Sequence, residues 1–255
     1  MTVTCTVDAD VAEIRMIRPD KLNALDETMV DAFHAALDDT GAARAIVVTA
    51  EGRAFSAGRD LSAAEPLTED AEAILRDTFN PLLLRISDLD VPTIAAVQGA
   101  CLGVGFGIAF ACDVVLAADD AKLGSPFARI GAVLDSGAHR YLVERLGPHR
   151  TLELIYTGRL LSGADAAAIG LVNRSVPRDA LHSEALSLAR TIAAGPTAAF
   201  AESKRIVRAL AAEAARLPAV LAAEGAAQGR IARSVDYAEG ITAFQDKRTP
   251  EFTGH

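Results

Sequence analysis

Residues 91–113 have the sequence VPTIAAVQGACLGVGFGIAFACD, which predicts a buried strand, a glycine corner and a buried helix in succession. Between Ile94 and Cys112 only Gln98 is clearly polar, so the run is long enough to raise the question of a membrane span. Its four glycines argue against a membrane helix, because glycine at this density breaks a regular helix. The sequence has no second run of this kind, and no lysine or arginine bias flanks this one. We therefore expect the run to lie in the core of a soluble protein that has no membrane partner.

Strand and helix patterns alternate on either side of this run through the first 120 residues, which predicts an α/β core. The predicted strands are residues 11–17, 45–50, 93–97 and 113–117, and the predicted helices are residues 26–37, a segment from residue 69 interrupted at Pro81, and a segment ending at Cys112. From Ser136 onward helical patterns dominate, at residues 137–146, 148–157, 178–194, 197–213 and 235–246, with one strand at 171–176. The clearest break is Gly195-Pro196, so we predict a core of residues 1–195 and a C-terminal helical oligomerisation region of residues 196–255.

The composition is that of a folded soluble protein, with 255 residues of which 51% are hydrophobic and 23% charged. A formal net charge of −9 argues against a nucleic-acid partner, because nucleic-acid binders present basic surfaces, but it permits an anionic small ligand. The three cysteines form neither a disulfide framework nor a Cys-x-x-Cys zinc pair, so we predict no metal. The N-terminal residues lack a secretory pattern, which makes the cytoplasm the expected location.

Three segments together resemble the crotonase superfamily, the enoyl-CoA hydratase/isomerase family of acyl-CoA enzymes. Residues 53–61 (RAFSAGRDL) are similar to the family's Phe-x-Ala-Gly-x-Asp-Leu loop, residues 91–113 to its strand, turn and buried helix, and residues 121–137 to the segment that follows. Weaker matches at residues 18–25 and 243–252 extend the resemblance over essentially the whole chain. It implies an α/β fold of the crotonase type, a spiral of ββα repeats with a C-terminal helical region. It also implies a coenzyme A thioester as substrate, no permanently bound cofactor, and a homotrimer or dimer of trimers.

The resemblance implies an oxyanion hole made by the backbone N–H groups of Arg59 and Val104. A thioester becomes reactive when its carbonyl oxygen takes on negative charge as an enolate, and two preorganised N–H donors stabilise that charge. Coenzyme A is expected along the loops 21–24 and 55–60, with two residues of the last helix reaching the site of a neighbouring subunit. The implied CoA-binding residues are Lys21, Leu22, Ala24, Ala57, Asp60, Phe244 and Lys247.

One departure from the family pattern bears on the reaction. The two glutamates that flank the bound water in family hydratases fall here on Gly107 and Phe127, neither of which can transfer a proton. A carboxylate remains at Asp135, at the place that resembles the acid/base of the dienoyl-CoA and epoxyphenylacetyl-CoA isomerases and the nucleophile of the aromatic dehalogenases. Apolar neighbours such as Phe127 and Leu134 are expected to raise its pKa by desolvation. The competing expectation makes Asp135 merely the N-cap of the helix over residues 137–146.

Three functions therefore stay open at the level of the sequence. The favoured one is an acyl-CoA isomerase of fatty or aromatic acid metabolism that uses Asp135 as acid/base, with Phe127, Leu134 and His139 shaping the acyl pocket. The second is an enoyl-CoA hydratase, a lyase, with acid/base groups at non-standard positions. The third is a catalytically retired subunit that binds acyl-CoA and supports an oligomer.

Overall fold

Buried apolar strands form the main sheet of the protein. A computed structural model describes residues 1–62, 64–65, 67–212 and 217–251. The strands within these residues are β1 (Val3–Asp8), β2 (Val11–Met16), β3 (Ala45–Ala50), β4 (Thr93–Val97), β5 (Ala100–Leu102), β6 (Val114–Ala118), β7 (Lys122–Gly124), β8 (Leu161–Ser162) and β9 (Arg174–Val176). The main sheet has the order β1-β2-β3-β4-β6-β9, with β1 antiparallel to β2 and the other neighbours parallel. The central strands β3 and β4 are almost entirely apolar, as expected of parallel strands covered on both faces.

Helices follow most of these strands and make up nearly all of the C-terminal third of the described chain. They are α1 (Glu27–Asp38), α2 (Ala71–Ile74), α3 (Asn80–Asp88), α4 (Val104–Ala111), α5 (Ala138–Thr157), α6 (Gly163–Ala168), α7 (Leu181–Ala193), α8 (Thr197–Ala212), α9 (Leu217–Ile231) and α10 (Val235–Gln245). A π-helical turn, Leu75–Phe79, joins α2 to α3, and 3-10 turns cover Pro19–Lys21 and Phe127–Ile130. Among the described helices, none is both long and apolar enough to cross a membrane.

The strand pairing generates a spiral of repeating units. In the main sheet β4 pairs in parallel with β6, and in a smaller sheet of order β5-β7-β8 the following strands β5 and β7 also pair in parallel. Parallel bridges from Ser56 to Cys101 and from Leu25 to Arg59 extend the small sheet back to the units that begin with β3 and β2. Each unit therefore stacks on the preceding one in both sheets, which is the spiral that the family resemblance predicts.

The run that opened the sequence analysis lies in the core, as predicted. The strand β4 is fully buried, and so are all eight residues of α4. Phe106 and Phe110 stack within α4 at a centroid distance of 4.1 Å. The glycine corner places the N-terminus of this buried helix against the loop over residues 53–61.

Most predicted elements have their counterparts in the structure. The strands at residues 45–50 and 93–97 are β3 and β4, and Asp26 caps α1 by accepting a hydrogen bond from Met29 N at 2.9 Å. The two helices predicted on either side of Gly147 form α5, whose backbone leaves helical geometry at that glycine. The interruption predicted at Pro81 lies instead in the π-helical turn before it, and Pro81 occupies the first turn of α3, where its missing N–H is not needed.

The C-terminal helices cover the middle of the spiral. Packing of α9 against α2, and of α10 against the Phe127–Ile130 turn, buries Leu221 and Ile241. The end of the predicted helix 197–213, at Glu213, and residues 252–255 of the predicted C-terminal region lie outside the described residues. A division of the chain at residue 195 stays a prediction.

Candidate active site

Two glycine turns meet beside the N-terminus of α4. Gly58 (φ +93°) and Gly103 (φ +50°) both have left-handed backbone conformations, and a Cβ atom on Gly58 would lie only 2.9 Å from the carbonyl oxygen of Leu102. The Ser56 hydroxyl fixes the first turn by donating to the Asn23 carbonyl at 2.8 Å and accepting from Gly58 N at 3.1 Å. Position 58 requires glycine because a larger residue would force the two turns apart, and at position 103 the positive φ favours glycine while a Cβ would also press on the Phe127 ring at 3.3 Å.

The turns bring together the N–H groups of Arg59 and Val104. Neither N–H donates to an acceptor among the described residues, and both residues line the same cavity of about 70 Å³. The Val104 N–H is the first of α4, so it carries the partial positive charge of a helix N-terminus. Two free donors on one cavity are the arrangement needed to bind an oxyanion.

Asp135 lies in the wall of this cavity and is 6% exposed. Burial raises the pKa of its carboxyl to about 7. The Ser136 hydroxyl donates to Asp135 Oδ1 at 2.8 Å and lowers this pKa, whereas the nearby Glu224 carboxylate raises it further. Arg59 and His139 lower the pKa in part. Both the acid and the base form of Asp135 are therefore present near neutral pH, which suits a group that gives and takes protons.

The competing prediction that Asp135 caps the following helix is wrong. The N-cap of α5 is Gly137, and no side chain of its own segment caps the helix. Instead Glu224, from α9, accepts the Gly137 N–H at 2.8 Å, and Asp135 contributes only its backbone carbonyl, to Ala138 N. The Asp135 carboxyl is thus not engaged as a helix cap.

A larger groove of about 760 Å³ adjoins the cavity. All seven residues predicted to bind coenzyme A line it: Lys21, Leu22, Ala24, Ala57, Asp60, Phe244 and Lys247. Its volume falls within the range typical of small-molecule and cofactor sites. Phe244 and Lys247 line the groove of their own chain, and their reach into a neighbour's site stays a prediction. The structure also adds Arg129, a cation that the sequence analysis did not propose.

The family model described as enoyl-CoA hydratase/isomerase matches residues 6–255. This chain belongs to the enoyl-CoA hydratase/isomerase family. A probable enoyl-CoA hydratase of Rhodobacter capsulatus is 38% identical over 261 residues, covering 99% of this chain and 98% of the relative. The 1,2-epoxyphenylacetyl-CoA isomerase of Escherichia coli K12 is 33% identical over 261 residues, covering 97% of each chain. A crystal structure of an enoyl-CoA hydratase from Mycobacterium avium subsp. paratuberculosis K-10 superposes with a TM-score of 0.88 at 31% identity, covering 99% of each chain.

Within the enoyl-CoA hydratase/isomerase family, the two positions that correspond by resemblance to the hydratase glutamates are packed closely here. A Cβ atom on Gly107 would lie 2.7 Å from both Cβ and the carbonyl oxygen of Ser136. The Phe127 ring lies 3.3 Å from where a Cβ on Gly103 would be, and Phe127 lines both the cavity and the groove. The space beside Gly107 is filled by the very loop that carries Asp135.

Two of the three residues predicted for the acyl pocket lie elsewhere. Phe127 lines the cavity, but Leu134 points away from it into the core, where it packs beside Leu142. The ring of His139 turns towards α9, with Nδ1 2.6 Å from Oε1 of Glu224. His139 follows two residues with positive φ, Ser136 and Gly137, and its ring is held by Glu224; Leu134 is buried in the core.

The sequence analysis missed several polar residues around the cavity. Glu69 accepts two hydrogen bonds from the Arg59 guanidinium, at 3.0 and 2.8 Å, and a third from the Tyr237 hydroxyl at 3.2 Å. Gln228 and Tyr237 also line the cavity. The spacing of Glu224 and Gln228, four residues apart in an alanine-rich segment, was an available signal, but it has meaning only once that segment is known to be a helix.

Proposed function

We propose that this enzyme is an acyl-CoA isomerase that moves a double bond with Asp135 as its acid and base. One observation carries the proposal: Asp135 is the single carboxyl that the described residues contribute to the cavity lined by Arg59 and Val104. Gly107 and Phe127, at the hydratase positions, have no ionisable group. The 33% identity to an epoxyphenylacetyl-CoA isomerase also supports an isomerase.

In the proposed reaction, coenzyme A lies in the large groove and the thioester carbonyl oxygen accepts hydrogen bonds from the Arg59 and Val104 N–H groups. The ionised Asp135 removes a proton from a carbon of the acyl chain, and the electron pair moves onto the carbonyl oxygen as an enolate. The two N–H donors stabilise that charge, which typically contributes about 100- to 1000-fold in rate per donor. Asp135 then returns the proton to a different carbon, so the double bond shifts and no other reactant is consumed.

The test is an assay of the purified protein against 2-enoyl-, 3-enoyl- and dienoyl-CoA thioesters, with Asp135→Asn as the variant. Asparagine has nearly the same shape but cannot transfer the proton, so isomerase turnover should fall about 100- to 10,000-fold while CoA affinity is kept. Glu239→Gln, which alters a carboxylate bound to Arg248 and outside the cavity wall, is the control and should keep its turnover.

Two other outcomes would contradict the isomerase. Addition of water to the 2-enoyl thioester, at a rate that Asp135→Asn leaves unchanged, would make the protein a hydratase with acid/base groups elsewhere, as the names of many relatives suggest. Tight CoA binding without turnover of any thioester would make it a binding subunit.

A further inference from the structure

Helix α9 contacts the segment that carries Asp135 on both sides of that residue. Oε1 of Gln228 accepts a hydrogen bond from Val133 N at 3.1 Å, and Oε2 of Glu224 accepts one from Gly137 N at 2.8 Å. Because Glu224 and Gln228 are four residues apart, they lie on one face of the helix. The two side chains therefore hold the backbone two residues before and two residues after Asp135.

This segment needs such support. Ser136 (φ 58°) and Gly137 (φ 77°) both have left-handed backbone, which a serine adopts at a cost of about 1 kcal/mol or more. The helix α5 that follows has no capping side chain of its own. Glu224, 4% exposed, supplies that cap from another helix, and its negative charge lies at the N-terminus of α5, where the helix dipole favours it.

We propose that Glu224 and Gln228 form a clamp that positions Asp135 in the active site, and that Glu224 also holds a negative charge near the Asp135 carboxyl. This inference rests on the proposed function, in which Asp135 transfers the proton. The position of Asp135 would then depend on α9, a helix of the C-terminal region that lies outside the spiral.

The contacts assign Glu224 a positioning role. Its Oε2 binds Gly137 N, and its Oε1 lies 3.3 Å from His139 N and 2.6 Å from His139 Nδ1, so both carboxylate oxygens are engaged by α5. Glu224 does not line the cavity. Gln228 does line it, and its amide nitrogen has no acceptor within the described chain, so Gln228 also faces the space for the acyl group.

Glu224 is one of several charged or polar groups, from four elements around Asp135, that affect the pKa of its carboxyl. Ser136 and His139 belong to the same segment, Arg59 comes from the loop after β3 and Tyr237 from α10. Arg59, His139 and the Ser136 hydroxyl favour the ionised form of Asp135, whereas Glu224 and burial favour the protonated form. Removal of the Glu224 charge should therefore let Asp135 lose its proton at a lower pH.

The experiment compares pH profiles of kcat/KM for the wild-type enzyme and Glu224→Gln, using the thioester that the wild type isomerises fastest. Glutamine keeps an oxygen that can accept the Gly137 N–H but removes the charge, so the acidic limb of the profile should shift to lower pH.

Glu224→Ala removes the contact as well, and its kcat should fall by about 100-fold with a nearly unchanged KM, since the reacting group is displaced while the CoA groove is intact. The matched control is Glu239→Gln, which loses a carboxylate that also accepts a backbone N–H, that of Glu251, and should leave the limb in place.

Gln228→Glu changes the charge near Asp135 in the opposite direction to Glu224→Gln. It is the variant to measure if the Glu224 variants do not fold. It keeps an acceptor for Val133 N and adds a negative charge in the cavity wall, so the limb should shift to higher pH. Unshifted limbs in Glu224→Gln and Gln228→Glu would overturn the effect of the Glu224 charge, and an unchanged kcat in Glu224→Ala would overturn the clamp. Either result, in a series where Asp135→Asn is inactive, would leave the proposed function standing. A fully active Asp135→Asn would overturn the proposed function itself.

Discussion

Asp135 holds its proton more tightly in the folded protein than an exposed aspartate does. Burial is the main cause of its rise in pKa from 3.8 to about 7. The folded state therefore binds a proton that the unfolded chain releases between these pH values, and stability falls as pH rises through that window. Above pH 7 the loss amounts to about 4 kcal/mol at most, at 1.36 kcal/mol per pKa unit.

Asp135→Asn should for this reason stabilise the protein at alkaline pH. The neutral amide has no charge to desolvate, so we expect a higher melting temperature than that of the wild type at pH 8 and almost the same one at pH 4. Differential scanning calorimetry at the two pH values checks this. A melting temperature at pH 8 equal to or below that of the wild type would mean that the Asp135 carboxylate is well solvated or paired when ionised.

At the scale of structural elements, the two glycine turns determine where the Arg59 N–H points. In Gly58→Ala the new Cβ would lie 2.9 Å from the Leu102 carbonyl, so the turns must separate and the Arg59 N–H, one of the two proposed oxyanion donors, is displaced. We expect kcat to fall about 100- to 1000-fold, the usual effect of losing such a donor.

A matched control separates loss of the donor from backbone strain in general. Gly170 has a similar left-handed conformation (φ +77°), and a Cβ atom there would have nothing within 4 Å. Gly170→Ala should cost about 1 kcal/mol of unfolding free energy and leave kcat unchanged. Equal losses of kcat in the two variants would show that the Gly58 turn has no special part in the reaction.

The cavity beside Asp135, proposed to hold the acyl group, is small because α2, the π-helical turn and α10 close it. Leu75, Tyr237 and Ile241 close a cavity of about 70 Å³, although the adjoining groove has about 760 Å³. We expect kcat/KM to fall steadily as straight-chain enoyl-CoA thioesters lengthen from four carbons, and Leu75→Ala to relieve that fall. Equal rates for short and long chains would contradict a closed acyl cavity.

The elements that were predicted well are those with strong local signals. β3 and β4 are continuous apolar runs bounded by breaks, and Asp26 is a strong N-cap residue, so local rules suffice for them. β5, β7 and β8 have only two or three residues, too few for any periodicity. The alanine-rich α9 was missed because its apolar residues do not mark one face, and Glu224 and Gln228 were missed with it.

The capping of α5 illustrates a limit of a different kind. Asp135 precedes a helix, as many N-caps do, and a local rule therefore selects it. The actual capping residue, Glu224, lies 87 residues beyond Gly137 along the chain, so only the tertiary structure brings the two together. Arg59, Val104, Asp135 and the groove residues could be named from the resemblance, but the residues of α9 and α10 around the cavity, and the fact that Asp135 is not a helix cap, could not.

At the scale of the whole molecule, the surface of the C-terminal region predicts assembly. Ile206 and Val207 on α8 are 60% and 64% exposed, which is unusual for two adjacent large apolar side chains. We expect a homotrimer or a dimer of trimers. Light scattering at micromolar concentration checks this, and a monomer of 26.6 kDa would contradict it.

The close approach of Ser136 to Gly107 has a consequence for how this sequence can change. A side chain at position 107 would occupy the volume that Ser136 fills in this structure. It could be accommodated only if residues 135–137 moved. A single mutation that introduces glutamate at 107 would disrupt the Asp135 loop before any new activity could be selected. If the proposed isomerase is to become a two-glutamate hydratase, the loop that carries Asp135 must therefore move together with the change at position 107, although both enzymes share one fold.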